Sequence, residues 1–69
     1  MNATRHDVNR AFHAGYDYGR RFGPCTPREA EFEMLHKALP TYGDLVTIFC
    51  NGADDGTSGD NFRLRLYYS

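Results

Sequence analysis

Nowhere in the 69 residues is there an apolar run near the roughly 18 residues of a membrane span. The opening stretch, Met1-Asn2-Ala3-Thr4-Arg5-His6-Asp7, lacks the apolar core of a secretory signal. The expectation is a soluble, cytoplasmic protein that makes no membrane contact. Cysteine is scarce: Cys25 and Cys50, with no C-x-x-C spacing. Without an export signal both read as reduced thiols, Cys50 in the core and Cys25 half-buried in a loop. Zinc held by these two and a pair of His6, His13 and His36 would need ligands in close pairs, and these are scattered. No metal and no cofactor are expected. Excess charge is lacking as well: the net charge is −1 and the sequence pI about 6.2, far from the basic footprint of a nucleic-acid-binding domain.

What is present is aromatic and apolar enough to fold. Five tyrosines and five phenylalanines argue against disorder. A chain of this length hides only about 60% of its unfolded surface, so its core is small and a partner subunit is one usual remedy.

Thr4 to Phe22 reads as a first helix, with Thr4 as N-cap and Asp7 in the first turn. Val8, Ala11, Phe12, Gly15, Tyr18, Gly19 and Phe22 fall on one stripe, and Gly23-Pro24 ends it. Ala11, Gly15 and Gly19 recur every four residues, a ridge on which another backbone can lie closely. Its occupant is helix 2 of the same chain, a second copy, or a target protein. A second helix spans about 27–39: Thr26-Pro27-Arg28-Glu29 forms a capping box with proline at the first helical position. Phe32, Leu35 and Leu39 make its apolar stripe, and Pro40 closes it.

The remainder reads as a β-hairpin. Leu45-Val46-Thr47-Ile48-Phe49-Cys50 is rich in strand formers, and residues 61–68 alternate with Phe62, Leu64, Leu66 and Tyr68 on one face. Between them, 51–60 is an acidic, glycine-rich loop longer than hairpins usually carry. The fold class is therefore α+β in a single domain: two antiparallel helices packed on a C-terminal hairpin, in the order α-α-β-β. The expected core is Val8, Phe12, Phe22, Phe32, Leu35, Leu39, Val46, Ile48, Leu64 and Leu66.

Function is approached by elimination and then by surface chemistry. No motif sets a nucleophile beside a base, and a chain this small builds a substrate-enclosing pocket with difficulty, so an enzyme is not expected. The acidic loop is no EF-hand, because Arg65 stands where the twelfth-position glutamate would be. Two helices and a hairpin would suit a winged helix-turn-helix, the alternative function being a small nucleic-acid-binding or regulatory protein. Glu29, Glu31 and Glu33 at the start of the would-be recognition helix oppose it.

Charge is segregated along the chain. Residues 1–28 carry five arginines against two aspartates, residues 29–60 one lysine against seven acids, and 61–69 two arginines. Such a dipolar surface suits pairing with a protein. Phe49, Arg63, Arg65 and Tyr67 on the outer sheet face, with Asp54 and Asp55 in the loop, are the candidate partner-binding residues, since aromatics and arginine anchor interfaces. Ala11, Gly15 and Gly19 are the candidate self-association residues of a homodimer.

The stretch Ala11-Phe12-His13-Ala14-Gly15-Tyr16-Asp17-Tyr18-Gly19-Arg20-Arg21 resembles helices in small phage and prophage accessory proteins, and the short, motif-free, partly acidic chain resembles anti-defence inhibitors of the anti-CRISPR type. That resemblance covers eleven residues. It implies stoichiometric binding to a host protein and carries no functional residue across. The resulting expectation is a non-enzymatic protein-binding module, a phage-type inhibitor acting in the host cytoplasm.

Overall fold

Residues 4–67 are described by the computed structural model, and they form three α-helices and a final 3₁₀ turn. Helix α1, Arg5–Phe22, begins where Thr4 accepts the Asp7 backbone N–H on its hydroxyl at 3.1 Å. Arg20 and Arg21 in the last turn complement the helix dipole. Helix α2, Pro27–His36, carries the full capping box: the Thr26 hydroxyl accepts from the Glu29 N–H at 3.2 Å, and the Glu29 carboxylate accepts from the Thr26 N–H at 3.0 Å. That bond from the backbone holds the Glu29 carboxyl below its usual range.

Helix α2 stops before Leu39, the expected end. Ala38 turns into the left-handed region at φ 58°, the Leu39 N–H returns to the Met34 carbonyl at 2.8 Å, and the Ala38 N–H to that of Leu35 at 3.1 Å. This is a Schellman ending, and its usual apolar contact is supplied by Met34 and Leu39, both buried in the core cluster.

The C-terminal hairpin does not exist. Among the described residues there is no strand, and the chain is all-helical rather than α+β. Residues 45–50, expected as a strand, and 51–58, expected as loop, are one continuous helix α3, Leu45–Ser58, ended by left-handed Gly59. The expected strand 61–68 is a 3₁₀ turn over Arg63–Leu66, with Tyr68 outside the described residues. The reason is tertiary. Leu45, Phe49, Gly52, Ala53 and Gly56 are all buried and fall on one helical face, which overrides the strand preference of Val46, Thr47 and Ile48.

That face lies on α1. A Cβ added at Gly15 would run into the Phe49 carbonyl, and one at Gly19 into that of Ala53; in return, Gly52 faces the carbonyl of Phe12 and Gly56 that of Tyr16. The two backbones touch through reciprocal glycines. Because contact positions rise together along both helices, α1 and α3 run in the same direction. The intervening α2 brings the chain back and packs chiefly on α3, with little contact to α1, so the expected α1–α2 pair is not the centre of the fold.

The largest fully buried side chains are Phe12, Phe49, Met34 and Leu45. Of the expected core, Phe12 and Leu39 are buried, Val8, Val46 and Ile48 pack on its edge, and Leu64 is half-buried. Phe22, Phe32, Leu35 and Leu66 are exposed. Helix α2 turns Ala30 and Met34 inward, because small Ala30 fits the crowded core, and so carries Phe32 and Leu35 out.

Candidate protein-docking face

The residues expected to bind a partner do not form one surface. Phe49 is fully buried, its ring tilted against Tyr18 at 5.9 Å, so it is a core residue and not a binding one. Asp55 is buried too. Arg63 grips it with both arms, Nε donating to Oδ2 at 2.9 Å and Nη2 to Oδ1 at 2.6 Å, which keeps the guanidinium charged beyond its usual range. Tyr67 lies stacked on Phe12, centroids 4.3 Å apart, and His13 donates through Nε2 to its carbonyl. These contacts tie the C-terminal turn down on α1 and α3. Only Asp54 and Arg65 of the six remain as open side chains, on separate elements.

Ala11, Gly15 and Gly19 are buried inside the chain, and the occupant of their ridge is neither helix 2 nor a second copy but α3. The grounds for self-association lose both this ridge and the open hairpin edge, leaving the smallness of the core.

Apolar side chains that sequence reasoning placed inside instead stand outside. Phe32 and Leu35 on α2 are 66% and 62% exposed, and with Arg28 and Glu31 they line a shallow depression on the outer side of that helix. The His36 ring stacks on Phe32 at 5.7 Å. Positions 28, 31, 32 and 35 are spaced as one continuous helix face, on which a cation and an anion precede two apolar knobs. Phe22 projects from the end of α1, packed on Tyr18 at 5.1 Å. The two rings share a second hollow with Asp17, Arg21, Glu33 and Lys37.

In sequence α2 carries apolar residues on two faces, Ala30 and Met34 on one, Phe32 and Leu35 on the other, without marking which the core takes. One small domain can bury only one. What the outer face can do chemically is seat in an apolar groove, with Phe32 and Leu35 as anchors at i and i+3. No side chain on it pairs a nucleophile with a base. Comparison of the chain with protein-family models, curated proteins and solved structures finds no match.

Proposed function

We propose that the chain is a non-enzymatic protein-binding module that presents the outer face of α2 to an apolar groove of a target protein. The observation that carries this is the exposure of Phe32 and Leu35, 66% and 62%, on a well-capped helix whose opposite face is already buried. Exposed apolar side chains scattered singly are ordinary. Two on adjacent turns of one helix, with Arg28 and Glu31 as rim charges, have the composition of an interface centre. The depression there is open and shallow, which suits contact with a protein surface better than enclosure of a small molecule. In keeping with the resemblance of α1 to phage accessory proteins, the target is a host protein and the action stoichiometric inhibition by occupancy.

The test is capture from a host lysate on the immobilised chain, comparing the parent with the Phe32→Asp/Leu35→Asp double variant. Both positions are exposed, so circular dichroism and melting should change little. The expected result is one protein retained in stoichiometric amount by the parent and lost with the double variant. Equal retention by both chains overturns the reading. Retention of nucleic acid, or a doubled mass in sedimentation that the double variant abolishes, would replace the target protein by nucleic acid or by a second copy.

A further inference from the structure

Cys25 stands in the corner between α1 and α2, next to the cap residue Thr26, and Cys50 lies in α3 next to Phe49. They are 25 residues apart in sequence, yet their Sγ atoms are 4.0 Å apart and each thiol is half-buried. Neither sulfur arrives there on a loose segment. The capping box fixes the corner, and Phe49, the neighbour of Cys50, is held against Gly15 of α1. Among the described residues no group of three or more histidine, cysteine, aspartate or glutamate side chains is placed to hold a metal, so the pair has no further ligand. Two thiols alone are the complete set for one bond, and a sulfur–sulfur bond of about 2.05 Å asks these two sulfurs to close about half of their separation.

We propose that Cys25 and Cys50 are a disulfide site, closed by a small-molecule disulfide oxidant, that locks the α1–α2 corner to α3. The thiolate of one cysteine attacks the oxidant, forming a mixed disulfide and releasing one small thiol. The other cysteine sulfur, losing its proton, then attacks the protein sulfur of that mixed disulfide and expels the second. The chain loses two protons and two electrons, and the oxidant is reduced to two thiols.

The surroundings slow these steps. Burial is the main cause that pushes the Cys25 thiol up to about 12, with the adjoining Cys50 next and the carboxylates of Glu29 on α2 and Asp54 on α3 adding to it. Tyr18 of α1 faces the same corner, its own phenol raised by burial first and then by Glu29 and Cys25. Burial also raises Cys50, the hydrogen bond from the Cys25 thiol works the other way, and Asp54 raises it further, so both thiols are held above the usual thiol range. Closure is therefore slow near neutrality and faster in mild alkali.

The experiment exposes the full chain to oxidised glutathione in mild alkali, then counts alkylatable thiols by mass after denaturation and measures melting. The expected product has lost both thiols together, carries no glutathione, keeps the monomer mass and melts about 10 °C or more higher, reversibly with dithiothreitol. Cys25→Ser and Cys50→Ser chains should each hold glutathione or a free thiol and show no such rise. Retention of two free thiols by the parent, accumulation of glutathione adducts, covalent dimers, or closure without a rise in melting would each overturn the proposal.

Discussion

An alanine at position 15 would be a better helix former than the glycine it replaces, by about 1 kcal/mol. Its Cβ, however, would meet the backbone carbonyl of Phe49, an atom with no rotamer to escape into. Overpacking of this kind typically costs about 1–3 kcal/mol, and here the neighbour is backbone, so the upper part of that range applies. Gly15→Ala is expected to lower stability by about 1–2 kcal/mol net, a drop in melting temperature of about 5–15 °C for a domain this small. Differential scanning calorimetry checks it, and a gain in melting temperature would mean that α1 and α3 are not in backbone contact. The same glycines explain what was hard to read. Gly52 and Gly56, in a run of Asn, Asp, Ser and Thr, look like turn residues. They are in fact the matching half of the Gly15–Gly19 ridge. The shared four-residue spacing was visible in both segments, but its meaning depends on a contact between distant parts of the chain.

At the scale of elements, α1 and α2 were legible because their ends are written locally, in Thr4 with Asp7 and in Thr26-Pro27 with Glu29. Helix α3 has no comparable signal: Asp44 makes no side-chain cap bond, and Leu45 to Phe49 have strand propensity. The exposed face of α2 was unreadable for a different reason, since two apolar stripes on one short helix do not say which of them the core will take. Two of the ties that hold the elements' ends can each be cut. Asp55 is buried and Arg63 is its partner, so Arg63→Ala strands a carboxylate and should cost about 1–3 kcal/mol in chemical denaturation. Arg65→Ala, at an exposed side chain, should stay within about 0.5 kcal/mol. Equal effects would remove the pair from the account of the C-terminal turn.

The second tie joins the start of α1 to the link before α3: the Tyr42 hydroxyl donates to Asp7 at 2.7 Å. This bond is the main reason the Asp7 carboxyl sits below its usual 3.8. A depressed carboxyl favours the fold above its unfolded value and loses that contribution as the pH drops through the folded one. The Tyr42 phenol is raised from 10.0 by the same bond, and its contribution is present below that value and lost as the pH rises through the raised one. Tyr42→Phe should therefore flatten both limbs of the stability–pH profile, most visibly below pH 3.8. Unchanged limbs would show that the bond does not persist in solution.

For the molecule as a whole, the described residues supply a core of four large fully buried side chains and an outer surface holding five large exposed apolar ones, Phe22, Phe32, Leu35, Phe62 and Leu66. That balance places the partner surface and the core in competition for one small stock of apolar residues, and α2 is where the division falls. The parallel course of α1 and α3 has a consequence in time. Their contacts join positions far apart in the chain, as Thr57 and Gly19 are, 38 residues apart. Neither helix gains from the other until the chain between them has closed into a loop, and that entropy is spent before any contact returns it. Folding of this small helical protein is thus governed by a meeting of distant segments, more like a sheet protein than like a bundle of neighbouring helices. A nascent chain can complete it only after α3 has left the ribosome.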